Sequence, residues 1–417
     1  MNRFVTSLFA VVFLLAAAAQ SQLQPQFFGM GVSTPGDMPK VSFGTISHPP
    51  VAWTMIEGTG RGKFNFKPID GFVIKAPKNA QGAALVTIDL GGWTPEWAVT
   101  DHTTCYHNAS GVGVCTIPPD NMQDWIDFVT AVIQHYNGVT APHVAYYEIW
   151  NEASNTKFWT GTVAQMLAMA QTAYPILKQD KLSMVLTPSV VWMNGVKFMT
   201  AYLAAGGGAF ADGLTFHGYP SQTGPGTLKP VPMPESPLST NAPIMTMIST
   251  FRQLADSNGM QGKPIMTTEG GWGTNGVSDP DQQTAWITHY EILQAGLSAS
   301  NNLAFQDWFT WGQAFSGTIE NSSGQPTPAG LAYNVVYGWL VNQMPQPCAS
   351  SDSIIWSCVV GSNLIVWNAA QTCNNGVCTT APYTAPFGYS KYVDVTNATT
   401  TINGSIKLGL KPIMLKP

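Results

Sequence analysis

The sequence predicts an α/β fold: a (β/α)8 TIM barrel over residues 22–344 with a small C-terminal β-sandwich over residues 345–417. Three observations predict it. From about residue 26 to 343, short apolar runs alternate with helical stretches, the order that builds a parallel sheet. Once an N-terminal leader is set aside, just under 400 residues remain, a length suited to a large barrel plus a minor domain. Beyond Trp339 the pattern changes to short strands parted by Gly, Asn and Thr turns.

The leader, residues 1–21, reads as an export signal. Arg3 supplies the positive charge, Phe4 to Ala19 the apolar stretch, and the alanine-rich end a small-residue cleavage site. It is short for a spanning helix, which needs about 20 apolar residues, and polar Gln20-Ser21-Gln22 follow. The expected location is secreted or extracellular, or periplasmic in a Gram-negative host, with no membrane contact after signal removal. Eight barrel strands are predicted near Phe27–Met30, Phe43–Ile46, Ala84–Asp89, Ala145–Trp150, Met184–Thr187, Gly213–His217, Pro264–Thr268 and Leu303–Phe309. Amphipathic stretches lie between them. Asn121–Tyr136 puts Trp125, Phe128, Val129, Val132 and Ile133 on one helical face, with Asp120 as the expected N-cap. Val163–Gln179 and Gln283–Ala295 are further helices. The Pro-rich stretch Ser221–Pro243 is long for a connection and is expected to rim a cleft. In the last domain, Ile354–Val360, Leu364–Asn368, Lys391–Thr396 and Ser405–Leu410 read as strands.

Composition narrows the partners. Net charge is −5 and there are no basic runs, which argues against nucleic acid. Six cysteines fit an oxidising compartment and fall as local pairs: Cys105 with Cys115, Cys348 with Cys358, Cys373 with Cys378. Fifteen connectivities are possible, local pairing being the simplest. Loop staples are expected rather than a metal site, because no histidines cluster at ligand spacing. Sequons at Asn108, Asn321, Asn397 and Asn403 would accept glycans in a eukaryotic host.

Only 10% of residues are charged, against roughly 25% in ordinary soluble domains. A carboxylate beside buried β-type sequence is then rare, and costly without a partner. Two stand out: Glu152, after Tyr146-Tyr147-Glu148-Ile149-Trp150-Asn151, and Glu269, after Pro264-Ile265-Met266-Thr267-Thr268. Both follow predicted strands, at the barrel face where active sites lie. Two carboxylates with tryptophans near them suggest an acid–base or nucleophile pair working on a sugar. In retaining glycoside cleavage two carboxyl groups about 5–5.5 Å apart supply the proton and meet the oxocarbenium-like carbon. Glu148 shares the parity of Glu152 and is expected inside the barrel as a hydrogen-bonded structural acid. His217 and Tyr219 are expected to line the cleft, a satisfied core position being the alternative for His217. Trp308 or Trp311 is a candidate sugar platform, and Trp93 with Trp97 a candidate cleft wall; simple core packing is the alternative for each.

Trp150-Asn151-Glu152 after the fourth strand, with a second Glu after the seventh, resembles the clan A glycoside hydrolases. The resemblance takes in Gly91-Gly92-Trp93-Thr94-Pro95-Glu96-Trp97, Phe216-His217-Gly218-Tyr219-Pro220 and the C-terminal β-domain, and is closest to glycoside hydrolase family 39 and family 5-like proteins. It implies Glu152 as general acid/base, Glu269 as nucleophile, Asn151 on the sugar 2-hydroxyl and the Tyr219 hydroxyl near Glu269. No cofactor is implied, and the partner is a carbohydrate substrate. One departure stands. Clan A enzymes usually carry an Arg ending the second strand, whereas Ser47-His48 occupies that region and the chain holds only Arg3, Arg61 and Arg252. His48, when protonated, is the expected substitute. The leading expectation is a secreted retaining glycosidase on β-linked polysaccharide or oligosaccharide. A non-catalytic carbohydrate-binding or cell-surface protein on a decayed barrel is the alternative, and a transglycosylase would use the same residues.

Overall fold

The computed structural model describes residues 22–417 except 48–51, 109, 193, 222–230, 273–275, 313–317 and 375. The leader, His48 and part of the 221–243 stretch therefore lie outside the described residues. Eight parallel strands form the barrel: β1 (Phe28–Val32), β2 (Thr45–Ser47), β3 (Ala84–Asp89), β4 (Val144–Glu148), β5 (Met184–Leu186), β6 (Leu214–Gly218), β7 (Ile265–Gly270) and β8 (Leu303–Trp311). They run in the order β5-β4-β3-β2-β1-β8-β7-β6. Parallel bridges Leu186↔Gly213 and Val191↔His217 bring β5 to β6 and close the ring. β1, β3 and β7 are buried along their whole length, as befits a parallel sheet covered on both faces.

The helix Met122–His135 buries Trp125, Phe128, Val129, Val132 and Ile133 as the 3.6-residue period requires. Its cap is Asn121, not Asp120: the Asn121 side chain accepts from the Gln123 N–H. The Asp120 carboxylate instead accepts from the Thr100 N–H, tying down the loop after β3. Thr162 and Gln165 make a capping box at the start of the helix Val163–Leu177. The helix Pro280–Leu297, capped by Asp279, departs from the amphipathic expectation, since every residue from Gln283 to Leu297 is buried. It lies between barrel and C-terminal domain, and its polar side chains bond both ways. His289 Nε2 meets the Leu410 carbonyl, and the Gln294 amide donates to Gln306 on β8.

The C-terminal region holds a five-stranded antiparallel sheet in the order Ile355–Val360, Asn363–Asn368, Ile413–Lys416, Lys391–Asp394, Thr399–Thr401. A second layer, Ala381–Tyr383 paired with Ile406–Leu408, packs on it through Val366, Ile406, Leu408, Ile413 and Leu415. The middle strand Ile413–Lys416 is absent from the sequence expectation. Three disulfides are present, Cys105–Cys115, Cys348–Cys358 and Cys373–Cys378.

Candidate active site

β4 ends at Glu148, and Glu152 stands four residues further on, in a turn where its own φ is +43°. A non-glycine residue there costs free energy and persists only where the surroundings hold it. They do. The Asn151 N–H donates to Gly91 O (2.7 Å), the Glu152 N–H to Ser189 Oγ (3.0 Å) and the Ala153 N–H to Ser189 O (2.9 Å). Trp150 lies so close to residue 91 that a Cβ there would sit 2.1 Å from its ring, so only glycine fits. Glu269 is the penultimate residue of β7 and pairs in register with His217 of β6.

These positions bring both glutamates onto one imidazole. His217 Nδ1 is 3.0 Å from Glu152 Oε1 and 3.4 Å from Glu269 Oε2. One donor atom from each of the three residues lies within 4.8 Å of the others, close to the carboxyl spacing of retaining glycosidases. The Tyr219 hydroxyl donates to Glu269 Oε2 (3.0 Å) and Asn155 Nδ2 to Glu152 Oε2 (2.6 Å). The same three atoms would also suit a divalent cation.

Burial penalises a charge on Glu152, but hydrogen bonds from His217 and Asn155 and the charges of His217 and Lys157 outweigh it, holding the group below its ordinary value. On Glu269 burial wins. With the Glu152 charge it pushes the carboxyl up to about 7, against the opposing pull of His217 and Tyr219. Burial disfavours the His217 cation too, yet the charges of Glu269 and Glu152 and the hydrogen bond to Glu152 lift it from 6.5 to about 9. Below about pH 7 a proton in the free site therefore favours Glu269 over Glu152, beside a charged imidazole.

Beneath the pair is a second tier of acids. Glu148 is fully buried and accepts from Thr268 Oγ1 (2.8 Å). Burial, then the charges of Glu148 and Glu269, raises Asp89 well above the ordinary range. Asp307 is pushed up by burial to about 8. Ser47 Oγ reaches both the Thr268 carbonyl (2.9 Å) and Asp307 Oδ2 and donates its one proton to one of them at a time; donation to Asp307 opposes the rise without cancelling it.

Among the other sequence-predicted residues, Asn151 is buried with Oδ1 unpartnered, and Trp93 is half-buried at the mouth, its Nε1 donating to Lys157 O. Trp97 packs edge-on to Trp53 beneath Arg61, with Nε1 on the Glu57 carbonyl. Trp308 is not a platform: it is fully buried, edge-on to Trp272 and Tyr290. Its residue precedes the strand end by three, so its ring belongs to the wall between β7 and the helix outside it. Trp311 ends β8 and is likewise buried. Arg61 pairs with Asp124, and Arg252 with Asp256 and the Lys263 and Met260 carbonyls, so neither serves Glu269. Sequence reasoning missed Asn155, Ser189, Asp89 and Asp307. Asp89 ends β3 and Asp307 lies within β8, the same signal that exposed the glutamates.

No protein-family model and no curated protein sequence matches the chain. The structure is similar to that of a family 39 glycoside hydrolase from the gut symbiont Bacteroides cellulosilyticus WH2, at TM-score 0.66 and 18% identity over 94% of this chain and 81% of that one. It is similar to a monomeric beta-xylosidase from Caulobacter crescentus CB15 (0.61, 14%, covering 95% and 97%) and to a family 44 xyloglucanase from Paenibacillus polymyxa (0.55, 12%, 95% and 97%). At these identities the likeness establishes the shared barrel and β-domain fold.

Proposed function

We propose that the protein is a secreted retaining O-glycosidase acting on β-linked polysaccharide or oligosaccharide containing xylose or glucose. Residues 22–344 form the catalytic unit and 345–417 an accessory β-domain. The carrying observation is the pair of carboxylates, Glu152 and Glu269, bridged by His217 with donor atoms within 4.8 Å. The substrate class follows what the structurally similar xylosidase and xyloglucanase are named for. Three disulfides support an oxidising location.

The reactive form has Glu152 protonated and Glu269 ionised, the reverse of the resting site. His217 connects the two. Its Nδ1 proton passes to Glu152, and the freed Nδ1 accepts the proton of Glu269, leaving imidazolium beside an ionised nucleophile. Glu269 then attacks the anomeric carbon while Glu152 protonates the departing oxygen; Glu152 next activates water to release the sugar with retained configuration. The pair works with one proton shared, so turnover spans from the low titration of Glu152 to about pH 7, where Glu269 titrates.

Reducing-end release from β-xylan, xyloglucan and aryl β-glycosides tests this, with product anomers followed by NMR. Glu152→Gln and Glu269→Gln are each expected to lose at least about 10²-fold while remaining folded. A variant that keeps the wild-type rate, or an inverted product, overturns the assignment. The lack of an arginine at Glu269 among the described residues favours the rival reading, a carbohydrate binder; affinity without any product would establish it. Turnover lost in EDTA would point to the cation instead.

A further inference from the structure

The loop that follows Glu152 helps line a surface groove of about 530 Å³, together with Trp93, Thr104, Tyr106 and Thr116. This is within the roughly 300–1,000 Å³ range of small-ligand clefts. Trp93 stacks on Phe158 (centroids 5.2 Å, 28°) and meets Tyr106 edge-on (6.1 Å, 85°). Its indole Nε1 is fixed on Lys157 O, so the three rings form a supported wall. The hairpin bearing Tyr106 is a three-stranded sheet of Thr94–Pro95, Gly113–Cys115 and Cys105–His107, stapled by Cys105–Cys115. Aromatic faces with hydroxyl groups around them suit a pyranose ring, whose faces are C–H and whose rim is hydroxyl.

Phe158 belongs to the loop after Glu152, which also contributes Thr156, Lys157 and Thr160 to the groove. Asn155 bonds the Glu152 carboxylate, the Lys157 charge reaches it, and Phe158 O accepts from Trp150 Nε1. Glu152 protonates the leaving oxygen, so whatever departs from the cut bond leaves over this loop. We infer that the groove binds the leaving-group side of a β-linked glycan chain, several sugars long, and that the protein therefore acts on chains rather than short glycosides. This rests on Glu152 being the acid.

The test compares kcat/KM on β-1,4-xylo- and gluco-oligosaccharides of two to six units for wild type, Tyr106→Ala and Thr156→Trp. Tyr106 and Thr156 are exposed, so neither change disturbs the core. Tyr106→Ala removes a stacking face, and Thr156→Trp fills the groove from its rim. The ratio of six-unit to two-unit kcat/KM is expected to fall about fivefold to tenfold in each, the size of one lost stacking contact. An equal loss at every length, or no loss at six units, overturns the groove. If wild type cleaves nothing, affinity electrophoresis on xylan and xyloglucan still decides: retardation lost in both variants supports the groove while the glycosidase reading fails, and absent or unaltered retardation overturns it. A dimer that Tyr106→Ala dissociates would also overturn it, assigning the face to a second copy of the chain.

Discussion

Replacing His217 by Asn keeps a hydrogen-bonding side chain and removes the charge shared by both glutamates. The carboxylates lift the imidazole from 6.5 to about 9, roughly 3 kcal/mol in favour of the charged ring. That attraction is reciprocal, so the same energy keeps protons off Glu152 and Glu269. Divided among these two and Glu148, its loss raises Glu269 by about one pH unit and moves Glu152 in the same direction. Both limbs of the kcat/KM profile should therefore move to higher pH, the alkaline one from about 7 to about 8. The maximum should also drop, because the proton on Glu269 has lost its route to Glu152. Stability gives an independent check. A ring raised in the folded state stabilises fully below 6.5, and that contribution fades as pH rises through about 9. The Tm deficit of His217→Asn should thus be greatest below pH 6.5 and close towards pH 9. Initial rates on an aryl β-glycoside from pH 4 to 9, with thermal melts in the same buffers, measure both. A bell that stays in place would refute the charge coupling, and one that keeps its full height would refute the proton route.

Asp307→Asn keeps a partner for Ser47 and removes an acid raised from 3.8 to about 8. The wild-type contribution is full below 3.8 and declines by about 4 kcal/mol by pH 7, so Tm should fall across that range in wild type and flatten in the variant; parallel melting curves would count against a buried neutral acid. Glu235 lies between His289 Nδ1 (3.0 Å) and Trp367 Nε1 (2.9 Å), where the segment before Ile244, the helix Pro280–Leu297 and the C-terminal sheet meet. Glu235→Gln should cost about 3–5 kcal/mol in denaturant unfolding, as breaking a buried pair does. An unchanged midpoint would show that the contact contributes little.

The barrel and its two glutamates were legible because charge is so scarce in this chain. An acid after Ile149-Trp150-Asn151 or after Met266-Thr267-Thr268 has no ordinary reason to be there. What was not legible depends on contacts distant in sequence. Asp120 and Asn121 are both good caps, and only the Thr100 N–H decides between them. The Pro280–Leu297 helix carries His289, Glu291 and Gln294 on faces that periodicity assigns to solvent; burial comes from the domain packed outside it. Ile413–Lys416 is a short terminal run whose place between Asn363–Asn368 and Lys391–Asp394 follows from pairing across the sheet. Trp308 and Trp311 end an aromatic run, and sequence alone gives no depth for their rings. His48, expected to replace the missing arginine, lies outside the described residues, and the described cation at the site is His217.

The missing arginine and the lower tier of acids are two sides of one arrangement. A permanent cation at the end of β2 would draw Glu269 towards the ordinary carboxylate range and close the one-proton window from its alkaline side. It would also favour the ionised form of Asp307, which burial now opposes. If Asp89 and Asp307 were charged below the site, Glu269 would be pushed higher still, as the repulsion already acting between them implies. Keeping them protonated leaves the imidazole of His217 facing chiefly Glu269, Glu152 and Glu148. The described cation facing both glutamates is thus one that can give up its proton, which an arginine cannot do.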